Sequence, residues 1–170
     1  MAYYIRPIES GDAKGINALR RMPGVFENVL GIPSERVKRS EEDIINLDDN
    51  VHEFVAIVKE TTGSEMIVGN ISLKIFSNPR LRHSGSIDLV MIHKDYQGKS
   101  VGSKLMEAIL DIADNWLMLV RIELIVFADN ESALMLYKKF GFEVEGTMKK
   151  SSICRGKYVD EIMMSRIKEY

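Results

Sequence analysis

At 170 residues the chain can bury one sizeable core, and it reads as a single domain over 1–170. Its composition, 45% hydrophobic and 28% charged, is that of an ordinary globular protein, and a formal net charge of −2 leaves no electrostatic footprint for nucleic acid or an anionic membrane. The single cysteine, Cys154, excludes an internal disulfide and argues against a cysteine-based metal site, so no metal is expected; a lone thiol suits a reducing compartment.

The opening MAYYIRPIESGD lacks the basic stretch and apolar run of a secretory signal. No apolar run approaches the ~20 residues that cross a bilayer. A cytoplasmic location without membrane contact is therefore expected. Tyr3–Pro7 alternates as a short strand, and ESGD turns the chain into a helix over 13–21 that Pro23 and Gly24 end. Ser40-x-x-Asp43 has the spacing of a capping box, with Asp for the usual Glu or Gln, and predicts a short acidic helix over 40–47. Strands follow at 54–58 and 66–76, joined by the turn ETTGSE, with Gly69 as a bulge.

SNPRLRHSG is a polar loop, and 87–92 is a compact buried strand. Leu105, Ile109, Ile112 and Trp116 recur at helical spacing and predict one buried face of a helix over 101–119. A strand at 121–128 leads to a helix that Asn130 starts and Gly141 stops. Two last strands occupy 142–148 and 158–166. This order predicts a mixed α/β or α+β sandwich, with helices on both faces of one sheet.

Two anion-binding readings meet in HKDYQGKSVGSKLMEAIL. Gly98-Lys99-Ser100 ends like the nucleotide loop G-x-x-x-x-G-K-[ST], and LIVFAD with its terminal Asp129 looks like a magnesium-holding strand. The place of the first glycine is His93, which opposes that reading, because a strained turn there needs glycine. Gln97-x-x-Ser100-x-Gly102 instead suits a loop that offers successive backbone N–H groups to an anion at a helix N-terminus. Lys99 can neutralise a phosphate and Gln97 can anchor the loop. A solvated polar loop that only caps the following helix accounts for the same letters.

The stretch VFADNESALMLYKKFGFEVEG is more distinctive. Asn130 is placed to cap a helix with Glu131 in its first turn, and Asn130, Ala133 or Leu134, and Tyr137 share one face. A tyrosine at that place also reads as plain core. Taken together, DYQGKSVGSKL and DNESALMLYKKFGF resemble the GNAT superfamily of N-acetyltransferases. The resemblance runs from YIRPIESGD to YVDEIMMSRI, and the tail YKKFGFEVEGTMKKSSICRGKYVDEIMM looks like bacterial members that acetylate amino acids or related small amines.

The resemblance implies a bent mixed sheet of about seven strands, splayed between two central ones and flanked by helices on both faces. It implies that acetyl-CoA is the co-substrate. Val90, Met91 and Ile92 then lend backbone groups to its pantetheine arm, and Gln97, Gly98, Lys99, Ser100, Val101 and Gly102 hold its pyrophosphate. Ser100 stands where the family usually has glycine. Asn130 matches the residue that touches the pantetheine arm, and Tyr137 matches the general acid, itself beside the cofactor.

The implied reaction is direct attack of a primary amine on the thioester within a ternary complex. Cys154, in a late polar loop with no partner base, is not a nucleophile. The general base stays open. Relatives carry an acidic residue early in the cofactor strand, at the place of Ile87. Asp88 lies one residue along, on the other face unless a bulge intervenes, and His83 just before the strand is the second candidate.

The acceptor pocket is expected from RRMPGVFENVLGIP, with Phe26 as a wall and Asn28 as a polar contact. The motifs do not choose between a free amino acid, an amino-acid adduct, a polyamine and a protein N-terminus, and the low net charge disfavours a cationic binding mode. A non-catalytic acyl-CoA sensor of the same fold and a protein N-terminal acetyltransferase remain alternatives. Many relatives form homodimers through their last strands. The apolar EIMM run would serve that purpose, and core burial explains it equally well.

Overall fold

The computed structural model describes residues 3–59, 61 and 63–170, so Glu60 and Thr62 of the ETTGSE turn lie outside the described residues. Its elements in chain order are β1 (Tyr3–Pro7), α1 (Ala13–Arg20), α2 (Val37–Ile45), β2 (Val51–Lys59), β3 (Glu65–Ile75) and β4 (Ser84–Ile92), then α3 (Val101–Asp111), β5 (Arg121–Phe127), α4 (Glu131–Lys139), β6 (Glu143–Cys154) and β7 (Lys157–Ile167). The strands make one sheet in the order β1-β2-β3-β4-β5-β7-β6. Neighbours run antiparallel except β4 and β5, which are parallel. The mixed α/β architecture is as the element order predicts. No helix among the described residues is long and apolar enough to cross a membrane.

Strand alternation divides the apolar residues between two cores, one on each face. Ala56, Val58, Ile71, Leu73 and Ile87 point to the side covered by α3 and α4, where they meet Leu105, Met106 and Ile109. Val55, Ile57 and Met91 point to the opposite side, against Ile16 and Leu19 of α1. Complete burial of a side chain such as Leu105 stabilises the fold by about 1.5–3 kcal/mol.

Two predicted helix boundaries move. Ser40 does not cap α2: the helix starts three residues earlier, and no side chain caps its N-terminus. Val37, Ser40 and Ile44 share the inward face, and Ser40 is buried where the helix presses on the protein. The helix after Val101 also ends sooner than its apolar spacing predicts. At Ile112 it passes into a π turn that closes at Trp116. The wider turn rotates Trp116 off the Leu105–Ile109 face, and it stands 76% exposed. The same rotation brings Asp114 to Arg166 and Lys168. Beyond α4, β6 has one register shift between Val144 and Gly146 and continues past Met148 to Cys154 through a second.

The bulge expected at Gly69 is present as an extra residue beside it. Ala56 pairs with Gly69 and Ile57 with Ile67, so Val68 is left over. Gly69 itself answers a packing demand. A Cβ there would sit 2.8 Å from Leu105 Cδ1 and 3.0 Å from Val101 Cγ1, so the first turns of α3 lie directly on β3. Gly69→Ala is expected to force α3 outward and to cost about 1–3 kcal/mol, a melting temperature lower by roughly 3–9 °C in a thermal scan.

Candidate active site

The central feature of the sheet is a pairing that stops. β4 and β5 are joined only at Ser84–Arg121, Gly85–Ile122 and Ser86–Glu123. Beyond Ser86 the strands diverge, for a reason visible in β4. Asp88 pairs with Ser72 and Met91 with Asn70, which leaves Leu89 and Val90 opposite the single residue Ile71. Leu89 takes a left-handed φ of 55° to make this bulge, and the bulge bends the strand away. From Ile87 onward, the edge of β4 that faces β5 has no strand partner. The opening continues into a cleft of about 1050 Å³.

One end of the cleft is closed by the loop into α3. The chain leaves β4 through a short turn at Lys94–Tyr96, in which His93 Nδ1 accepts from the Asp95 N–H at 3.2 Å. His93 thus caps a turn, and the place a nucleotide loop would give to glycine is used differently. Gln97 Nε2 donates to the Ile92 carbonyl at 3.1 Å and anchors the loop as expected. Gly98 and Ser100 both take left-handed backbone, with φ of 70° and 64°. No side chain caps α3, so its first-turn N–H groups remain available to an anion. Gly98, Ser100, Val101 and Gly102 line the cleft. Lys99 is outside the lining, and its Nζ lies 5.3 Å above the Tyr96 ring.

Val90, Met91 and Ile92 line the same cleft from β4, and Asn130 and Tyr137 from the far side. Asn130 Oδ1 accepts from the Ala133 N–H at 3.2 Å and from Ser132 Oγ at 3.1 Å. Its amide NH₂ is thereby turned away from the helix end. Tyr137 is 6% exposed, and burial pushes its hydroxyl well above the usual phenol range. An uncapped helix N-terminus, a left-handed anion-cradling loop and an unpaired strand edge in one cleft suit a long ligand with a pyrophosphate at one end and amides along its arm.

The remaining wall faces α1 and α2. Asn28 lines it, as do Gly24, Val25 and Leu30. Phe26 does not; its ring packs under the Arg155 guanidinium at 5.8 Å. Asp88 also lines the cleft. The bulge begins one residue past it, so Asp88 and Ile87 keep to opposite faces, Ile87 in the core and Asp88 on the cleft side. Enclosure by protein raises the Asp88 carboxyl, the Ser86 hydroxyl at 3.3 Å and Lys74 oppose that rise, and Glu123 adds to it. His83 is not brought to the cleft. It sits at the joined end of β4 and β5, where its carbonyl accepts from the Val120 and Arg121 N–H groups. Cys154 is likewise outside the lining, its thiol 3.8 Å from the Glu27 carbonyl.

Glu53 is a cleft residue that the sequence reading passes over. It is half-buried on β2, and its Oε1 accepts from Asn70 Nδ2 at 2.7 Å. Burial raises its carboxyl; Asn70 and Arg20 pull the other way, while Asp43 and Asp12 reinforce the rise. A signal was available in VHEFVAIV, where one carboxylate interrupts an apolar strand.

Comparison with known proteins defines the class of this site. Residues 23–142 match the Acetyltransferase (GNAT) family. Over 164 residues the chain is 32% identical to an L-amino acid N-acetyltransferase of Escherichia coli (strain K12), spanning 96% of this chain and 97% of that one. A shorter stretch of 75 residues is 33% identical to spermidine N(1)-acetyltransferase of the same strain, spanning 44% of this chain and 40% of that one. The crystal structure of spermidine N-acetyltransferase from Vibrio cholerae with CoA and spermine shares the fold, at a TM-score of 0.79 and 24% identity over 97% of this chain and 95% of that one. The cleft therefore belongs to an acyl-group transferase. The chain is a member of the GNAT acetyltransferase family and an N-acetyltransferase, and that family uses acetyl-CoA as co-substrate.

Ser100 offers a direct test of the loop. A non-glycine residue in left-handed backbone costs about 1–2 kcal/mol, and glycine would add back about 0.5–1 kcal/mol of unfolded-chain freedom. Ser100→Gly is thus expected to leave stability unchanged or raise it by up to about 1.5 kcal/mol. CoA should bind the variant at least as tightly as the parent, measured by calorimetric titration.

Proposed function

We propose that this protein moves the acetyl group of acetyl-CoA to the primary amine of a small molecule by direct attack within a ternary complex. The observation that carries the proposal is that Asp88 and Tyr137 line one cleft, at the place where β4 parts from β5. The relatives named above act on L-amino acids and on spermidine, and small amines of these kinds are the acceptors the reading supports. A thioester substrate and a single free thiol suit a reducing, cytoplasmic setting.

In this reading the α3 N-terminus and the 97–102 loop hold the pyrophosphate, with Lys99 swinging from Tyr96 to add its charge. Backbone groups of Val90, Met91 and Ile92 and the Asn130 amide hold the pantetheine arm. In the same reading an N–H of the β4 edge near Met91 or Ile92 donates to the carbonyl oxygen as it becomes an oxyanion. An ammonium acceptor must lose a proton first: an α-amine with pKa ~8 needs little help, an alkylamine at ~10.4 needs a base. Asp88 accepts that proton. The nitrogen forms its bond to the carbonyl carbon, the tetrahedral intermediate collapses with loss of the C–S bond, the departing thiolate takes the Tyr137 proton, and the extra proton on the new amide nitrogen passes through solvent to restore the Tyr137 hydroxyl. Burial makes that phenol a weaker acid, and the same dry surroundings make the thiolate a stronger base, so the two remain matched. His83 has no part in this scheme.

Thiol release from acetyl-CoA should appear with one or more small amines. Tyr137→Phe should lower kcat at least tenfold, about 1.4 kcal/mol of barrier, with CoA affinity unchanged. Absence of release from any amine with the wild-type protein would sink the proposal. Because burial keeps the Tyr137 hydroxyl protonated, the kcat profile should show no alkaline loss up to pH ~10.

Asp88 must be ionised to act, so activity should fall as pH drops through its raised pKa. The kcat/KM profile should then carry an acid limb above the ordinary aspartate value of ~3.9 and below that of the acceptor amine. Asp88→Asn should remove this lower limb and leave the amine's own. A lower limb that persists in Asp88→Asn would assign the base elsewhere.

A further inference from the structure

The acceptor half of the cleft carries a charge pattern that the whole-chain charge conceals. Glu53, Asp88 and Glu161 line the cleft, and none of them has an ion-pair partner among the described residues: Glu53 is held by Asn70, Asp88 by Ser86 and Glu161 by Ser151. The neighbouring arginines have ion-pair partners of their own, although Arg20 also acts on Glu53 through space. Arg20 pairs with Glu35 and Asp43, and Arg121 with Glu123 and Glu145. Lys74 is the one lysine or arginine among the cleft-lining residues, and it stands near Asp88.

The carboxylates are also spaced. Glu53 pairs with Ser72 and Ser72 with Asp88, so the two acids stand in one row across β2, β3 and β4. With strands about 4.8 Å apart, their backbone positions are separated by about 10 Å. Asp88 is on the strand that parts from β5 and is nearer the reacting carbonyl, while Glu53 is two strands farther along the cleft. Beside Glu53, the fully buried Asn70 has an Oδ1 with no partner. A free amino acid would bring its own carboxylate into this row, with only Lys74 to receive it. A diamine brings a second ammonium instead.

We infer that Glu53 is a specificity-determining residue that binds a second ammonium of the acceptor, so that the preferred substrates are short diamines and polyamines rather than free amino acids. This rests on the transferase reading of the cleft. The amine that reacts is presented at Asp88, and the distal ammonium is held at Glu53, with an alkyl chain spanning Ser72. The relation to Glu53 is that of a charge-assisted hydrogen bond, whose loss weakens binding roughly ten- to a hundredfold.

The test is steady-state thiol release with diaminobutane, spermidine, butylamine and L-phenylalanine, for the wild type and Glu53→Gln. The glutamine keeps the oxygen that Asn70 donates to, and a thermal scan of the variant checks that the fold is retained. The wild type should prefer diaminobutane to L-phenylalanine in kcat/KM by about tenfold or more. Glu53→Gln should raise KM for diaminobutane by about tenfold or more with little change in kcat, and leave butylamine unchanged. A wild-type preference for L-phenylalanine would overturn the inference and leave the transferase intact. An equal loss with diaminobutane and butylamine in Glu53→Gln would also overturn it, by giving Glu53 a purely structural role. No release from any of the four would overturn this inference and would count against the transferase reading as well.

Discussion

The shape of the candidate site depends on β4 changing faces partway along its length. Ile87 and Met91 are four residues apart and would share a face in a regular strand. Here Ile87 is buried in the core under α3, and Met91 is buried in the opposite core against α1. The extra residue at Leu89–Val90 makes that exchange. Its left-handed backbone costs about 1–2 kcal/mol, and the burial of two large side chains in separate cores offsets that cost. The strand cannot return to regular pairing without expelling one of them. The gap beside β5 is therefore a consequence of packing on both faces.

A sheet opened at its centre needs its two arms held some other way. The far arm is tied by forked ion pairs. Arg121, at the last joined stretch, donates to both oxygens of Glu145 on β6 at 2.7 and 2.6 Å and also reaches Glu123. Arg121, followed by the Ser165 hydroxyl, holds the Glu145 carboxyl down to about 2. On the other face Arg166 grips both oxygens of Asp114 at 2.8 Å. Burial alone would raise the Asp114 carboxyl, but Arg166 and Lys168 outweigh it and keep it below its ordinary value. Partly exposed pairs of this kind contribute modestly one at a time. Their bidentate geometry fixes orientation: Arg121–Glu145 ties β5 to β6 within the far arm, and Arg166–Asp114 ties that arm to the turn that ends α3, beside a β4–β5 junction of three residue pairs. The π turn that spoils the periodicity of α3 is the device that delivers Asp114 to this clamp.

The parts of the site made from backbone were legible in the sequence, because backbone demands leave local marks. Gly98, the Asn130 cap and Gly141 at the end of α4 each sit where a left-handed or capping conformation is found. Most strands and helices followed from periodicity, and the helices on both faces of one sheet from their order along the chain. What was not legible depends on residues far apart in the chain. The start of α2 is set by Val37, Ser40 and Ile44 meeting a surface that no local pattern describes. The exposure of Trp116 follows from a π turn whose benefit lies at Arg166, fifty residues on. Ser72 and Glu53 become neighbours of Asp88 only through strand register, so an isolated acid in VHEFVAIV had no visible partner.

The two halves of the cleft thus follow different rules. On the reading proposed above, the half that takes acetyl-CoA is built mostly from main-chain groups: a strand edge, a helix end, a turned loop. Such groups tolerate sequence change as long as the dihedrals survive, and so Ser100 can replace glycine while keeping a left-handed φ of 64°. The half assigned above to the acceptor is lined by side chains on three adjacent strands, Glu53, Ser72 and Asp88. A net charge of −2 spread over the chain is a poor guide to such a site, since an ammonium in the cleft responds to the few charges within a Debye length of about 8–10 Å and not to the total. Lys74, among the lining residues, opposes the acidic row of Glu53 and Asp88 at its Asp88 end, and Arg20 acts on Glu53 from behind the lining, so on the reading proposed above the acceptor preference follows from that local sum.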